Sequence, residues 1–483
     1  MRQARKRTKF GVGTAAIAFL AAGLAGLGTT GAQAGTGSTA FSATIPAVPA
    51  VTTTLMDNVH QNPRLATRDN GASAQLDGKS YWIFADTILK NPFWMSSSSA
   101  SVTNDLNADD GIDLLTGSAF STTSTTVVDL VPHSATEKAF ETAHNKSLTN
   151  CTSATDPYCG VTFAYWPGQV FADTVNHRIV FSYGKLCRGG ANGTPCSGSM
   201  GKSIGTGYAA IDPVTKKVTR LAAVNRSSQV QSVEGTDPTL LFAQGESVYT
   251  GRNVIDGELY TNGGCNPTCN TAKVALDKIT DYTAYRYWDG TTWNPDASKA
   301  TRTGAVNGNG GHSLFYSDAL HAWVNMYLEY PTNKVKYQVA GQPMGPFSAS
   351  KLAFEVPKGN GTTYGLMVHT EYEKQAGAVQ YASWYDSASG GQGLAKIQFT
   401  LPASTPTATS TATPAASSSA TATSTATPAA SSSATTTSTA TNTATNTATT
   451  TTTATAAATA TSSVTAVRIV APRSRLVRTA AAQ

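Results

Sequence analysis

From Val51 to Leu401 the chain is a succession of short runs rich in β-branched and aromatic residues, broken by Gly, Asn, Asp and Pro. No helical period is sustained for more than about ten residues. A stretch of roughly 350 residues built this way is all-β, too long for one ordinary sandwich and lacking the alternating helices of a β/α barrel. A propeller or a double β-domain is left. Five approximate units can be drawn. The first holds the segment from Arg68 to Thr87, and the second runs from Tyr165 through Arg178-Ile179-Val180-Phe181-Ser182-Tyr183 to Ile211. The third extends from Gly245 to a hairpin-like Tyr285 to Trp293, the fourth from Gly311 to Ser348, and the fifth from Tyr364 to Tyr385. At about 70 residues each, the units exceed the roughly 40–50 residues of a four-stranded blade, so the surplus is assigned to loops. The stretches at 90–160 and 184–203 fit that reading, and residues 88–125, rich in Ser, Asn and Asp, are expected to be a solvated insertion or a lid. The expected fold is a five-bladed β-propeller.

Within the first unit, Asp77-Gly78 is a strong hairpin signal, and Tyr81-Trp82-Ile83-Phe84 reads as a buried strand. A hairpin centred there returns Asp86 to the edge from which Asp69 departs, within reach of one bound molecule. Two adjacent carboxylates are the minimal equipment for glycoside hydrolysis.

The ends carry different information. Residues 1–34 combine Arg2, Arg5, Lys6, Arg7 and Lys9, an apolar run from Val12 to Leu27, and Ala32-Gln33-Ala34 before Gly35. That is the pattern of a secretory signal peptide, so the expected locale is extracellular or cell-wall associated, with no membrane span after its removal. Residues 35–402 form the folded domain, and 403–483 a disordered tail. Most of that tail is Thr, Ala and Ser with a few Pro and Asn, a composition that buries no core and suits a solvated stalk or a spacer from a cell wall. Arg468, Arg473, Arg475 and Arg478 offer weak electrostatic attachment to an anionic wall polymer. Of 35 Lys and Arg, five lie in the signal and four in the tail, which leaves 26 against 29 Asp and Glu. The basic balance thus belongs to the ends, and nucleic acid is excluded as a partner. Six cysteines fall in three close pairs, Cys151 with Cys159, Cys187 with Cys196, and Cys265 with Cys269. Three local disulfides are the economical reading after an export signal, since the spacings match no zinc site.

Three motifs stand in a telling order: Asp69-Asn70-Gly71, then Gly78-Lys79-Ser80-Tyr81-Trp82-Ile83-Phe84-Ala85-Asp86-Thr87, then His369-Thr370-Glu371. With Trp323-Val324-Asn325-Met326-Tyr327 and Gly345-Pro346-Phe347, the region from about residue 60 to 400 resembles secreted five-bladed β-propellers related to bacterial endo-D-arabinanases. It departs from their pattern at Ala85, where Gly is usual, and at Thr370, where Pro is common. The resemblance implies a glycoside hydrolase acting on a furanosyl polysaccharide such as arabinan, with Asp69 and Asp86 as the catalytic pair. Asp86, behind an aromatic strand, is expected to have the raised pKa and act as the acid. Glu371 is the third candidate carboxylate.

His369 and His312 are candidate substrate ligands, set against the commoner fate of a strand histidine as a hydrogen-bonded core residue. No cofactor is expected, although two histidines meeting near a propeller axis could hold a structural ion. Trp166, before Pro167-Gly168 in a turn context, is the preferred sugar-stacking platform, ahead of Trp323 and Trp384. No nucleophile elbow, phosphate loop or His-Glu-x-x-His motif is present. The rival function is a propeller that binds carbohydrate at the cell surface without cutting it.

Overall fold

Strands such as Lys79–Leu89 are buried almost without interruption, Tyr81 to Ala85 being at most 2% exposed. An antiparallel strand with apolar residues on both faces needs a sheet stacked on each side. The computed structural model meets that need with five antiparallel sheets arranged as blades around a ring. It describes residues 41–401 apart from 58, 63, 91–92, 115–128, 146–153, 191–195, 198–199, 309–310 and 358–360. The signal-like segment, the whole of the tail, and Cys151 lie outside the described residues.

Each blade begins with its inner strand: Leu65–Leu76, Thr162–Asp173, Tyr249–Ile255, His312–Ser317 and Thr363–Val368. These strands pack in sequence, first on second through to fifth on first, so the ring is closed. The first blade adds Lys79–Leu89, whose far side pairs with both Trp94–Ser96 and Ser99–Thr103. The second adds Arg178–Arg188, Lys202–Ile211 and Leu240–Ala243, and the third Glu258–Gly263, Thr268–Ala275 and a small hairpin, Arg286–Trp288 with Trp293–Asn294. The fourth is His312–Ser317, Ala322–Glu329, Lys334–Ala340 and Lys351–Glu355. In the fifth, Val379–Asp386 and Gly391–Phe399 are followed by an outermost strand from the other end of the domain, Val51–Met56, in register from Val51 opposite Phe399 to Met56 opposite Leu394. The main apolar clusters fill the spaces between neighbouring blades, with Ile83, Phe163 and Phe181 in one and Val324, Val368 and Trp384 in another.

Part of the stretch expected to be a solvated insertion is core. Ser99–Thr103 is fully buried, because its hydroxyls find partners. Arg68 donates from Nε to Ser99 Oγ at 2.9 Å and from Nη1 to Ser101 Oγ at 2.7 Å. Downstream, the helix Ala135–His144 opens on a capping box formed by Ser134 and Glu137. It is clipped to the second blade by Lys185, which reaches Glu137 at 2.6 Å and Asp237 at 2.8 Å and also contacts Glu234. Disulfides join Cys187 to Cys196 and Cys265 to Cys269 as expected, and Cys159 is itself disulfide-bonded. Among the described residues no helix is long and apolar enough to cross a membrane.

Candidate active site

The hairpin that carries Asp69 and Asp86 is shaped by its backbone at two places. At the turn, Asp77 and Gly78 both have positive φ, 53° and 69°, the pattern of a type I′ turn. Further along, the pairing runs from Arg68 opposite Thr87 to Asn70 opposite Phe84, with register shifts on both sides of Asn70. Asn70 and Gly71 there have φ of 60° and 120°. Such a bulge re-aims a side chain, and here it stands Asp69 beside Asp86.

The two carboxylates occupy different environments. Asp86 is 22% exposed and fully engaged: its Oδ1 accepts from Trp166 Nε1 at 3.1 Å and its Oδ2 from Arg188 Nη2 at 2.9 Å. The Arg188 guanidinium lies over the Trp166 ring at 4.7 Å, so the three side chains form one block. Asp69 accepts from the Tyr364 hydroxyl at Oδ2 at 2.9 Å, and its Oδ1 is buried without a hydrogen bond. Burial raises the Asp69 pKa most, the charge on Asp86 raises it further, and Tyr364, Arg188 and the nearby Asp86 amide lower it, leaving it at about 7. The raised carboxyl is therefore Asp69, the reverse of the expected assignment. The reason is burial: Asp69 lies deep on the first inner strand with one oxygen unpartnered.

The remaining candidates disperse. Trp166 reaches the site, but from within the strand Thr162–Asp173 rather than a turn, with one ring face under Arg188. Glu371 does not join the pair. It sits in the short 3-10 turn Thr370–Tyr372, beyond the end of the fifth inner strand, where its Oε1 accepts from Ser80 at 2.7 Å and from Ser73. Ser73 is four residues beyond Asp69, on the order of 10 Å along the first inner strand and toward the other face of the ring. His369 is fully buried, bonded through Nδ1 to Ser73 and Nε2 to Ser383 and stacked on Trp82 at 4.1 Å. Burial, with the Arg252 charge nearby, drives its pKa well below the ordinary value, so it is a neutral core residue out of reach of substrate. Trp323 and Trp384, 2% and 5% exposed, are core as well. His312 opens the fourth inner strand, lines a separate cavity, and is held neutral by burial, with a pKa of about 4. Arg188 and Tyr364 went unrecognised in the sequence. Arg188 had one signal, its place directly after Cys187 of a disulfide.

No known family matches the chain, and no curated protein does. Among solved structures it is similar to a GH43_1 enzyme from Xanthomonas citri complexed with xylotriose, at 12% identity and a TM-score of 0.37, covering 69% of this chain and 87% of that one. It is also similar to the catalytic domain of the GH62 alpha-L-arabinofuranosidase of Coprinopsis cinerea, at 9% identity and 0.36, covering 74% and 98%. A third likeness is to an exo-beta-1,3-galactanase of Phanerochaete chrysosporium with beta-1,3-galactotriose, at 9% and 0.37, covering 72% and 64%.

The side chains of the site offer a buried carboxyl whose pKa is raised to about 7 beside a second carboxyl held in place by Arg188 and Trp166. That is the division of labour glycoside hydrolysis requires. Metal chemistry has a weaker basis. Among the described residues, Glu137, Glu234 and Asp237 converge closely enough to hold a cation, but the Lys185 ammonium already fills the space between them.

Proposed function

We propose that the protein is an exported glycoside hydrolase acting on a furanosyl polysaccharide such as arabinan, with Asp69 as the general acid. The observation that carries this reading is the asymmetry of the pair: Asp86 is ion-paired with Arg188, while Asp69 is desolvated, half-satisfied and raised to about 7. Asp69 gives its proton to the glycosidic oxygen as the bond to the anomeric carbon breaks. Asp86 stabilises the positive charge that develops on the sugar, and water bonds to the anomeric carbon as it gives a proton to the Asp69 carboxylate, which restores the acid. Export through the signal-like segment would place this activity outside the cell, with the Thr/Ser/Ala/Pro-rich tail as a stalk suited to cell-wall association.

The test is release of reducing ends from arabinans, arabinogalactan, fructans and xylans by the full chain, beside Asp69→Asn and Asp86→Asn. Activity on at least one glycan is expected, with each substitution lowering kcat by about 100-fold or more while the fold is retained. Retention on a glycan with no release from any would contradict hydrolysis and identify a carbohydrate-binding propeller.

A further inference from the structure

A cavity of about 540 Å³ opens between the second, third and fourth blades, and neither Asp69 nor Asp86 lines it. Its size falls within the roughly 300–1,000 Å³ of ligand sites. Gln169, Thr250 and His312 reach it from three successive inner strands, and Asn307 from the loop before the fourth. None of these four side chains makes a hydrogen bond to protein among the described residues, so their donors and acceptors are left for a ligand. We propose that this cavity is an ancillary subsite that binds uncharged sugar residues and rejects uronic acids.

The chemistry of the wall supports that selectivity. Among the described lining residues there is no Lys or Arg, and the nearby arginines are engaged, Arg302 by the Gly264 carbonyl and Arg226 by Glu246, so a uronate carboxylate would find no free cationic partner on the wall. Glu246 also lines the cavity, but its carboxylate is spoken for: Arg226 grips it with Nη2 to Oε1 at 2.7 Å and Nη1 to Oε2 at 3.0 Å, and the Ala243 amide adds a bond at 2.8 Å. Burial raises the Glu246 pKa, but these bonds outweigh it and hold it below the ordinary value. His312, lowered to about 4 by burial, brings no positive charge either. What remains is amides, two hydroxyls, a neutral imidazole and backbone, the donor and acceptor set that matches a polyol. One rim residue, Cys265, is tied to Cys269, which pre-organises that wall.

Gln169 stands three residues from Trp166 on one strand, at most about 10 Å by strand rise since a bulge lies between Pro167 and Val170, and Trp166 holds Asp86. A single extended oligosaccharide can therefore touch both places. The use of the cavity in catalysis rests on the hydrolase reading, but its occupancy does not, and the experiment separates them. In a full-length Asp69→Asn background, calorimetry would compare arabinotetraose, xylotetraose and galactotetraose with tetragalacturonate. At least one neutral tetrasaccharide is expected to bind tenfold or more tightly than the uronate. Gln169→Ala and, independently, Asn307→Ala are each expected to weaken it at least fivefold, with thermal unfolding confirming that the variants are folded. Equal or tighter uronate binding, unchanged affinity in both variants, or no binding of any neutral tetrasaccharide would overturn the proposal. Failure of the wild type to release reducing ends would instead count against the hydrolase reading and leave the subsite standing.

Discussion

At the scale of single residues, the site is defined by how unequally two aspartates are solvated. The hairpin and its two acids were legible in the chain, since Asp77-Gly78 and the aromatic run dictate where Asp69 and Asp86 lie relative to one another. Their roles were not, because the partners that set them arrive from distant sequence: Arg188 is 102 residues from Asp86, and Tyr364 is 295 from Asp69. The raised pKa also has a consequence for stability. Below about pH 4 Asp69 is protonated in both folded and unfolded chains. Between about 4 and 7 the unfolded chain gives up that proton while the folded one keeps it, so stability falls as pH rises. A rise from 3.8 to about 7 corresponds to a loss of about 4 kcal/mol, complete above pH 7. Asp69→Asn removes this dependence. Differential scanning calorimetry is expected to show the variant melting above the wild type at pH 8, with the difference nearly gone at pH 4.

At the scale of the element, the bulge matters more than the turn. Gly78 needs its positive φ, but a Cβ there would meet nothing within 4 Å, so Gly78→Ala is expected to cost about 1 kcal/mol and leave catalysis intact. Gly71 is more constrained, with φ at 120° and a Cβ that would sit 3.2 Å from the Phe84 ring. Gly71→Ala is expected to cost about 1–3 kcal/mol by urea denaturation and to lower kcat by displacing Asp69. Equal effects at both glycines would deny the bulge its positioning role. The serine-rich segment after residue 90 shows where reading by composition fails. Ser99–Thr103 looks like a loop, yet it is a buried strand because Arg68 is there to satisfy its hydroxyls. A polar run can be core when its hydrogen bonds are supplied from elsewhere in the fold.

For the whole molecule, five units of short strands pointed to five blades, and the starts of those units fall close to the inner strands. How the ring closes was not visible. Val51–Met56 carries no mark that its partner is Gly391–Phe399, more than 300 residues on, since pairing of that range depends on completing the circle. Removing residues 51–56 would expose the edge of the fifth blade and is expected to lower the melting temperature by on the order of 5 °C. An unchanged melting temperature would show that the ring does not depend on this strand. Ring closure also serves the site, because Tyr364 in the fifth blade can reach Asp69 in the first only across the seam that this strand helps to hold.

The proton donor can be examined directly through the dependence of kcat/KM on pH, measured on whichever glycan the wild type cleaves. If Asp69 delivers the proton, activity falls on the alkaline side with a midpoint near pH 7, and Asp69→Asn abolishes the pH-dependent component. A profile that stays flat to pH 9, or an alkaline limb that survives in the residual activity of Asp69→Asn, would contradict the assignment.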